Sequence, residues 1–580
     1  MIRSRWLLPA VTAAVFATTW LLARQSFFFA DDFLFADYFI HNRVTVEELI
    51  RPWFGHLMPG YILADVVFLK LFGLSWAPAA LIIAGIHAGA LVALVRCLDA
   101  AQQARRLNVL AGIAFSFSIA QVAPAMWWAA SLNNFAALAL CISTLGCLTR
   151  WVVRRRVQYL VAALATYGAA VAFSEKSLLF SLFSVLWCFL VLWRGRRLKA
   201  RLALLRTTWP AWAGIGLISL VVVVRFVTGS YLASSGEAAS TAESAAFVGW
   251  GLVGGLVPSL FGTDLWLFHS SPLTWAAVVL ANLVVIVLII VSVRRQPAVV
   301  GVWGFVGICV LLNQVALSRR ADLLGIQNAG LLRYHIENTA IVWLGLAVIA
   351  SSVLLARVDR APPDREGAGN RPRSRTTLVA TGAVLVVCGA LWVQSTVLTV
   401  QASPGHEARL WIDRVAQTWP TDADPKLLNF PVPGGIVLSQ MYPYNMSKRV
   451  LPQLMPDVQF TDQTSQAWVA GIDGTIGPLK FFRTAEADIS TCLADGESVT
   501  VPISVPSGYW VLIDYQAEAR GALVAPHSEL DPLTLEAGSD GVVGYAPQGV
   551  PDGGLQLTAK GTSVCLSTVT VGLVDVAPKG

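Results

Sequence analysis

The chain has 580 residues, of which 56% are hydrophobic and 13% are charged. Because about a quarter of the residues in a soluble domain are charged, this composition excludes an ordinary soluble protein. The net charge of +7 is divided unevenly, since residues 401–580 carry −9 and the first 400 residues carry +16. Lys and Arg gather in the cytoplasmic loops of membrane proteins, so the basic excess indicates topology in a lipid bilayer, with no nucleic-acid partner.

Apolar runs recur along the first 400 residues, and each is long enough to cross about 30 Å of hydrocarbon as a helix. The bulky SFFFADDF after the first run replaces the small residues of a signal-peptidase site, so we expect that run to be retained. The sequence predicts eleven transmembrane helices, near 6–23, 76–96, 107–123, 134–151, 157–173, 177–193, 208–227, 274–293, 297–317, 339–357 and 377–399.

The loops between these helices predict the topology. With the N-terminus in the cytoplasm, every inside loop is rich in Arg, and an odd number of crossings places the tail outside the cell membrane. Pro59 to Gly73 is apolar but short and carries Asp65 and Lys70, which are costly inside a bilayer. We therefore predict that 24–75 forms an outside loop containing two helices that lie at the interface.

The tail has a different pattern. Short alternating apolar runs such as GYWVLIDY and STVTVGLVDV, separated by Gly, Pro and Asp clusters, predict an antiparallel, mainly β domain over 401–580, entered through a helix at 401–420. The only two cysteines of this domain, Cys492 and Cys565, lie in predicted strands. An oxidising compartment outside the membrane favours a disulfide between them.

Asp31 and Asp32 follow the first helix directly, inside an aromatic run. Two carboxylates beside lipid are costly unless they are hydrated, paired or bound to a metal, for which Mg²⁺ or Mn²⁺ would be the suitable ion. An equally good interpretation is that they cap a following interfacial helix through its dipole.

Other polar residues fall in the predicted outside loops. Together they could supply a base and a cation that binds phosphate. A histidine in a loop is also often simply solvated. Glu175 and Lys176 are compatible with a simple salt-bridged turn. These candidate substrate-binding residues are His56, Glu175, Lys176, Arg319, Arg320, Arg333 and His335.

The order of these motifs resembles the C-type (GT-C) glycosyltransferase superfamily. The matching features are the first outside acidic pair, HLMPGYILADVVFLKLFGLS after it, and AFSEKSLLF, in which Glu and Lys stand in the reverse of the usual order. The resemblance covers residues 1–200 by motif and 200–400 by helix count. It implies a transmembrane catalytic domain over 1–400, and an outside domain over 401–580 of the glycan-binding kind found in some actinobacterial cell-wall enzymes.

The resemblance also implies a reaction. A sugar passes from a polyprenyl-phosphate donor to an envelope glycan, glycolipid or protein acceptor, with Asp31 or Asp32 as base. Arg333, or the pair Arg319 and Arg320, would stabilise the leaving phosphate, and His56 would position a substrate. Two alternatives remain at this point: a transporter or flippase of a lipid-linked precursor, and a non-catalytic assembly protein of the envelope.

Overall fold

The computed structural model describes residues 6–53, 55–228, 240–264, 272–318, 321, 325–358, 375–420, 425–526, 530–550 and 553–576. The helices in chain order are α1 (Leu7–Ala23), α2 (Asp31–His41), α3 (Val46–Ile50), α4 (Pro59–Phe72), α5 (Trp76–Ala101), α6 (Arg105–Ser116), α7 (Val122–Ala125), α8 (Trp128–Ala130), α9 (Ala137–Arg154), α10 (Val157–Phe173), α11 (Leu179–Leu186), α12 (Leu198–Thr207), α13 (Trp209–Thr228), α14 (Thr241–Trp250), α15 (Val257–Ser259), α16 (Pro272–Arg295), α17 (Val300–Ser318), α18 (Ile336–Val358), α19 (Arg375–Gln401), α20 (Pro404–Thr418) and α21 (Ser447–Val450).

These helices give the chain the architecture of a polytopic membrane protein. A helix lies at each of the eleven predicted positions. Within the described residues, seven helices are long and apolar enough to cross a membrane, and an eighth crossing results if α6 and the bent helix after it are one span. The bend between them is 56°. Helices α1 and α10 are apolar but shorter, so the count of eleven spans stays a prediction.

Short π-helical segments connect or extend several helices. Ser131–Ala136 joins α8 to α9, and Trp187–Leu192 extends the helix beyond the end of α11. Such π-helical turns insert an extra residue per turn and reorient the side chains that follow. They explain why one predicted apolar run, 177–193, is divided between α11 and a π-helical segment.

The region 24–75 contains helices where the sequence predicts them. The first predicted interfacial helix is divided into α2 and α3, because a capping box between Thr45 and Glu48 starts a new helix. The second is α4, which begins at Pro59 and ends at Phe72, directly before Gly73, where φ is +56°. A proline in the first turn and a glycine after the last turn are the usual boundaries of a helix.

One part of the predicted outside loop 228–273 is helical instead. Helix α14 continues through the π-helical segment Gly251–Leu256 into α15. Glycines at 251, 254 and 255 disfavour a helix, and for that reason the sequence pattern missed it. A Cβ at Gly255 would collide with the buried ring of His335, and a Cβ at Gly251 would force the side-chain amide of Gln314 to move.

The chain forms two compact units. The helical unit comprises Met1–Phe27 and Asn42–Ser403, and the β unit comprises Phe28–His41 and Pro404–Gly580. The boundary near residue 403 lies close to the predicted one at 400, but α2 packs with the β unit. Ala30 N donates a hydrogen bond to Ile436 O, and Arg449 forms an ion pair with Asp37 at 3.0 Å.

The strands of the β unit are β1 (Lys426–Leu427), β2 (Gln459–Phe460), β3 (Ala467–Ala470), β4 (Ile476–Leu493), β5 (Ser498–Val501), β6 (Tyr509–Ala517), β7 (Gly521–Val524), β8 (Leu533–Leu535), β9 (Gly538–Ala546), β10 (Leu555–Lys560) and β11 (Val564–Val576). They form a seven-stranded sheet in the order β2-β1-β3-β4-β11-β6-β9 and a four-stranded sheet in the order β5-β10-β7-β8. The prediction of an antiparallel domain holds except that β1 pairs in parallel with β2 and β3.

The core of the β unit is formed by alternate residues of its strands. Val511, Ile513 and Tyr515 of β6 are buried with Val569 and Val571 of β11. Alternate residues of a strand point to opposite faces, so one face of each of these strands faces the core. Helix α20, which the sequence predicts at 401–420, is the first element of the C-terminal part of the β unit.

The predicted disulfide is present in the β unit. Cys492 of β4 and Cys565 of β11 stand opposite each other in neighbouring antiparallel strands and are covalently joined. Both residues are exposed, and the bridge closes a loop of 73 residues. A bridge of this kind stabilises a domain mainly by restricting its unfolded chain.

Replacement of Cys492 and Cys565 by Ser is expected to destabilise the β unit by about 4 kcal/mol and to lower its urea midpoint by about 2 M. Because both side chains are exposed, the loss would come from the cross-link and not from a cavity. Pulse proteolysis of the full-length protein in urea measures the midpoint. Cys147→Ser in the helical unit is the control, and an unchanged midpoint for the double variant would contradict the prediction.

Candidate functional site

His56 and Glu175 form a direct pair in the helical unit. Trp53 and His56 exchange two main-chain hydrogen bonds of 3.0 and 2.8 Å, which close a tight turn before α4. Nδ1 of His56 lies 2.5 Å from Oε1 of Glu175, and the two side chains are 25% and 20% exposed. A partly exposed imidazole paired with a carboxylate is a suitable group for taking up and releasing a proton.

The local backbone explains how residues 119 positions apart meet. Glu175 opens the 3₁₀ turn Glu175–Leu178 directly after α10, where the sequence predicts a turn between two helices. Helix α4 lies close to the end of α10, because a Cβ at Gly60 would be only 3.1 Å from the main-chain carbon of Ala172. The other carboxylate oxygen of Glu175, Oε2, is buried and has no hydrogen-bond partner among the described residues.

Asp65, on α4, is buried. Trp128 Nε1 donates a 2.7 Å hydrogen bond to Asp65 Oδ1, while Oδ2 has no hydrogen-bond partner within the described part of the chain. Burial raises the pKa of Asp65 to about 7, although the hydrogen bond from Trp128 opposes that rise. The sequence identifies Asp65 only as an obstacle to membrane crossing and gives no signal of its tryptophan partner.

Arg333 is held by aromatic rings. Its guanidinium carbon lies 5.4 Å from the ring centre of Trp127 and 5.1 Å from that of Tyr334, and its Nη2 donates to the Tyr334 hydroxyl at 3.2 Å. Stacking on aromatic faces leaves the guanidinium positively charged and its orientation fixed. Trp127 directly precedes Trp128, so one dipeptide contacts both Arg333 and Asp65.

His335 is completely buried, two residues after Arg333. Its Nδ1 accepts from Gln314 Nε2 at 3.3 Å and its Nε2 donates to Ala329 O at 3.0 Å. Burial lowers the pKa of His335 to about 4, and the bond to Ala329 opposes that effect only in part. The imidazole is therefore neutral at pH 7, and these bonds use both ring nitrogens in packing.

Asp31 and Asp32 differ in their surroundings. Both lie in the first turn of α2, where the helix dipole favours negative charge. Asp32 is 3% exposed, and its Oδ2 accepts a hydrogen bond from Phe29 N at 3.1 Å, which fits the capping interpretation. Asp31 is partly exposed, and Ala30 before it has φ of +52°, an unusual value for a residue with a Cβ.

The remaining predicted residues are less informative. Lys176 is partly exposed beside Glu175. Arg319 and Arg320 lie outside the described residues. Among the residues that the structure describes, no group of three His, Cys, Asp or Glu side chains is arranged to hold a metal, so Asp31 and Asp32 have no third ligand there.

A further ionisable residue, His87, lies inside a candidate span. It is the twelfth of the 26 residues of α5, and its Nδ1 lies 2.8 Å from Thr19 Oγ1. The imidazole stacks on Phe135 with ring centres 4.6 Å apart, while its Nε2 has no hydrogen-bond partner in the described ranges. An ionisable group within a membrane helix is a functional candidate, and the sequence analysis did not single it out.

Comparison with known proteins gives no match, either to a protein-family model or to a curated protein.

We expect the His56–Glu175 pair to contribute about 1–2 kcal/mol of coupling energy to stability, because a charge-assisted hydrogen bond joins two mostly buried groups. A double-mutant cycle with His56→Ala and Glu175→Ala, read by thermal unfolding in detergent, measures it. The more exposed pair Asp99–Arg105, at 3.7 Å, is the matched control and should couple by less than about 0.5 kcal/mol. Equal coupling energies in the two cycles would contradict the prediction.

Proposed function

We propose that this chain is an integral membrane glycosyltransferase that moves a sugar from a polyprenyl-phosphate donor to an acceptor of the cell envelope. The observation that carries the proposal is the partly exposed His56–Glu175 pair, which occurs where the resembling motifs stand in the sequence. A His–carboxylate pair can orient a substrate hydroxyl or relay its proton. A donor dissolved in lipid explains why the chemistry would be carried by a protein with so many apolar helices.

The leaving group of this reaction is a lipid phosphate, and its developing charge requires a fixed cation. Arg333 supports that role because the rings of Trp127 and Tyr334 hold its guanidinium in place. A guanidinium fork can bind two phosphate oxygens at once. His335 serves a different purpose in the proposal, since its buried imidazole supports the backbone that carries Arg333.

The proposed base lies in the acidic pair. We assign it to Asp31, because Asp32 is 3% exposed and one of its oxygens is bound to Phe29 N. The base would take the proton of an acceptor hydroxyl, which then attacks the anomeric carbon as the phosphate leaves. A Mg²⁺ or Mn²⁺ ion at the pair is compatible with this chemistry but is not needed for the proton transfer.

A transporter of a lipid-linked precursor is the second candidate, and His87 is the observation that favours it. Transporters place ionisable groups within the membrane to bind substrates and coupling ions. His87 lies near the middle of α5, and its Nε2 lacks a partner among the described residues. The proposed glycosyltransferase would require Asp31, whereas the transporter would require His87.

Asp31→Asn is expected to lower sugar transfer by about 10²- to 10⁴-fold without changing the melting temperature, because a general base contributes that much to rate. Asp32→Asn should retain transfer, since the amide oxygen can still accept from Phe29 N. Transfer from polyprenyl-phosphate sugars in membranes that contain each variant is the measurement. Asp37→Asn, on the same helix and paired with Arg449, is the matched control.

The same set of variants separates the two candidates. Normal transfer by Asp31→Asn, by Asp32→Asn and by the double variant would exclude the acidic pair from catalysis. His87→Phe preserves the ring stack on Phe135 but removes the contact with Thr19. Loss of precursor translocation in His87→Phe, with full transfer in every Asp variant, would favour the transporter.

The proposal also requires the β unit to lie outside the cell membrane, as the Arg-rich loops predict. Ser539 is exposed on β9, so a Cys at this position should react in intact cells with a maleimide that cannot cross the membrane. Lys199→Cys, exposed on α12 in a predicted inside loop, should react only after lysis. The opposite labelling pattern would invert the topology.

A further inference from the structure

A groove opens between three helices of the helical unit, and none of its lining residues takes part in the proposed reaction. It has a volume of about 470 Å³ and is lined by one stripe each of α6, α16 and α18, with Trp303 of α17 at its side. Leu107 to Ala114, Leu288 to Arg295 and Trp343 to Val353 contribute residues mostly three or four positions apart. Such spacing places the side chains of each helix on one face, so the groove runs along the helices.

The wall of the groove is apolar along most of its length and charged at one position. Arg295 is its only charged lining residue among the described ranges, and Ser292 lies one turn before it on α16. Ser292 Oγ accepts a 2.9 Å hydrogen bond from Trp303 Nε1. Arg295 is exposed and makes no hydrogen bond or ion pair with any described residue, so its guanidinium is available to an anion.

The groove is accessible from the side. Helix α16 is loosely packed, since only 17% of its span is buried, and Leu288 and Val291 are 44% and 37% exposed. These residues face lipid if α16 crosses the membrane. A ligand can therefore enter from the bilayer and does not need a path from water.

The dimensions match one lipid chain in one leaflet. Stripes that span eight to eleven residues extend about 10–15 Å along a helix, which is close to half of the roughly 30 Å hydrocarbon thickness. The volume falls within the roughly 300–1,000 Å³ of typical ligand sites. An apolar wall of this length with a cation at its end fits an amphiphile and excludes a polar soluble ligand.

We propose that this groove binds one acyl chain of an anionic phospholipid, with its phosphate on Arg295. The guanidinium supplies two donors in a fork that matches phosphate oxygens. Trp343 also lines the groove and adds an aromatic ring to its apolar wall, where the acyl chain would lie. The proposal does not depend on the glycosyltransferase function.

Two neighbouring arginines provide the test of this geometry. Arg294 precedes Arg295 in the sequence and is equally exposed, but it does not line the groove. General attraction between a basic surface and anionic lipid would use both residues alike. A specific lipid site in the groove would use Arg295 alone.

The experiment is a titration of delipidated full-length protein in detergent with dioleoyl-phosphatidylglycerol, read by native mass spectrometry. The wild type should bind one molecule, Arg295→Gln should bind about tenfold more weakly, and Arg294→Gln should bind as the wild type does. Dioleoyl-phosphatidylcholine should bind the wild type no better than phosphatidylglycerol binds Arg295→Gln. Ala114→Phe, which fills the groove, should weaken phosphatidylglycerol binding as well.

Three outcomes would overturn the proposal. Equal weakening by the two arginine variants would mean unspecific surface charge. Equal affinity of the wild type for phosphatidylcholine would mean that the net negative charge of the headgroup is not recognised. Unchanged binding by Ala114→Phe, with a folded protein by thermal unfolding, would place the lipid elsewhere.

Discussion

The helical unit depends on the high cost of leaving a polar group unpaired in apolar surroundings. Its buried polar side chains therefore bind across helices that are distant in sequence. Trp128 donates to Asp65, Gln314 donates to His335, and Gln121 donates to Thr339 at 3.0 Å. Each bond joins two elements whose apolar faces alone would permit several arrangements, so these bonds help to select one arrangement.

Close backbone approach makes these bonds possible. Gly251 and Gly255 allow the π-helical segment to contact the side chains of Gln314 and His335, and Gly60 allows α4 to lie on the end of α10. The missing Cβ leaves room for a polar side chain at Gly251 and Gly255, and for the main chain of Ala172 at Gly60. The same approach places His56 beside Glu175, so the arrangement of the candidate site follows from the packing of the helices around it.

The sequence predicts the apolar helices well, because length and hydropathy determine them and a helix is found at every predicted position. It also predicts the Cys492–Cys565 bridge, because the β domain has no other cysteines. The pairs Asp65–Trp128 and Arg333–Trp127 were not predicted, since a contact between distant helices leaves no local pattern. The π-helical segment Gly251–Leu256 after α14 was missed for another reason: packing against Gln314 and His335 compensates for the low helix propensity of Gly251 and Gly255.

The inclusion of α2 in the β unit has a consequence for biosynthesis. The ribosome completes this helix first and then makes roughly 360 residues of membrane helices before Pro404 emerges, which takes on the order of a minute at about 5–20 residues per second. During that time Ile436 and Arg449, which contact α2 in the finished fold, do not yet exist. The nascent helix, with Phe33, Phe35 and Phe39 on it, must therefore be shielded by lipid or a chaperone until translation ends. The β unit therefore cannot reach its final fold until the whole membrane segment has been synthesised, and a folded β unit indicates that this synthesis is complete.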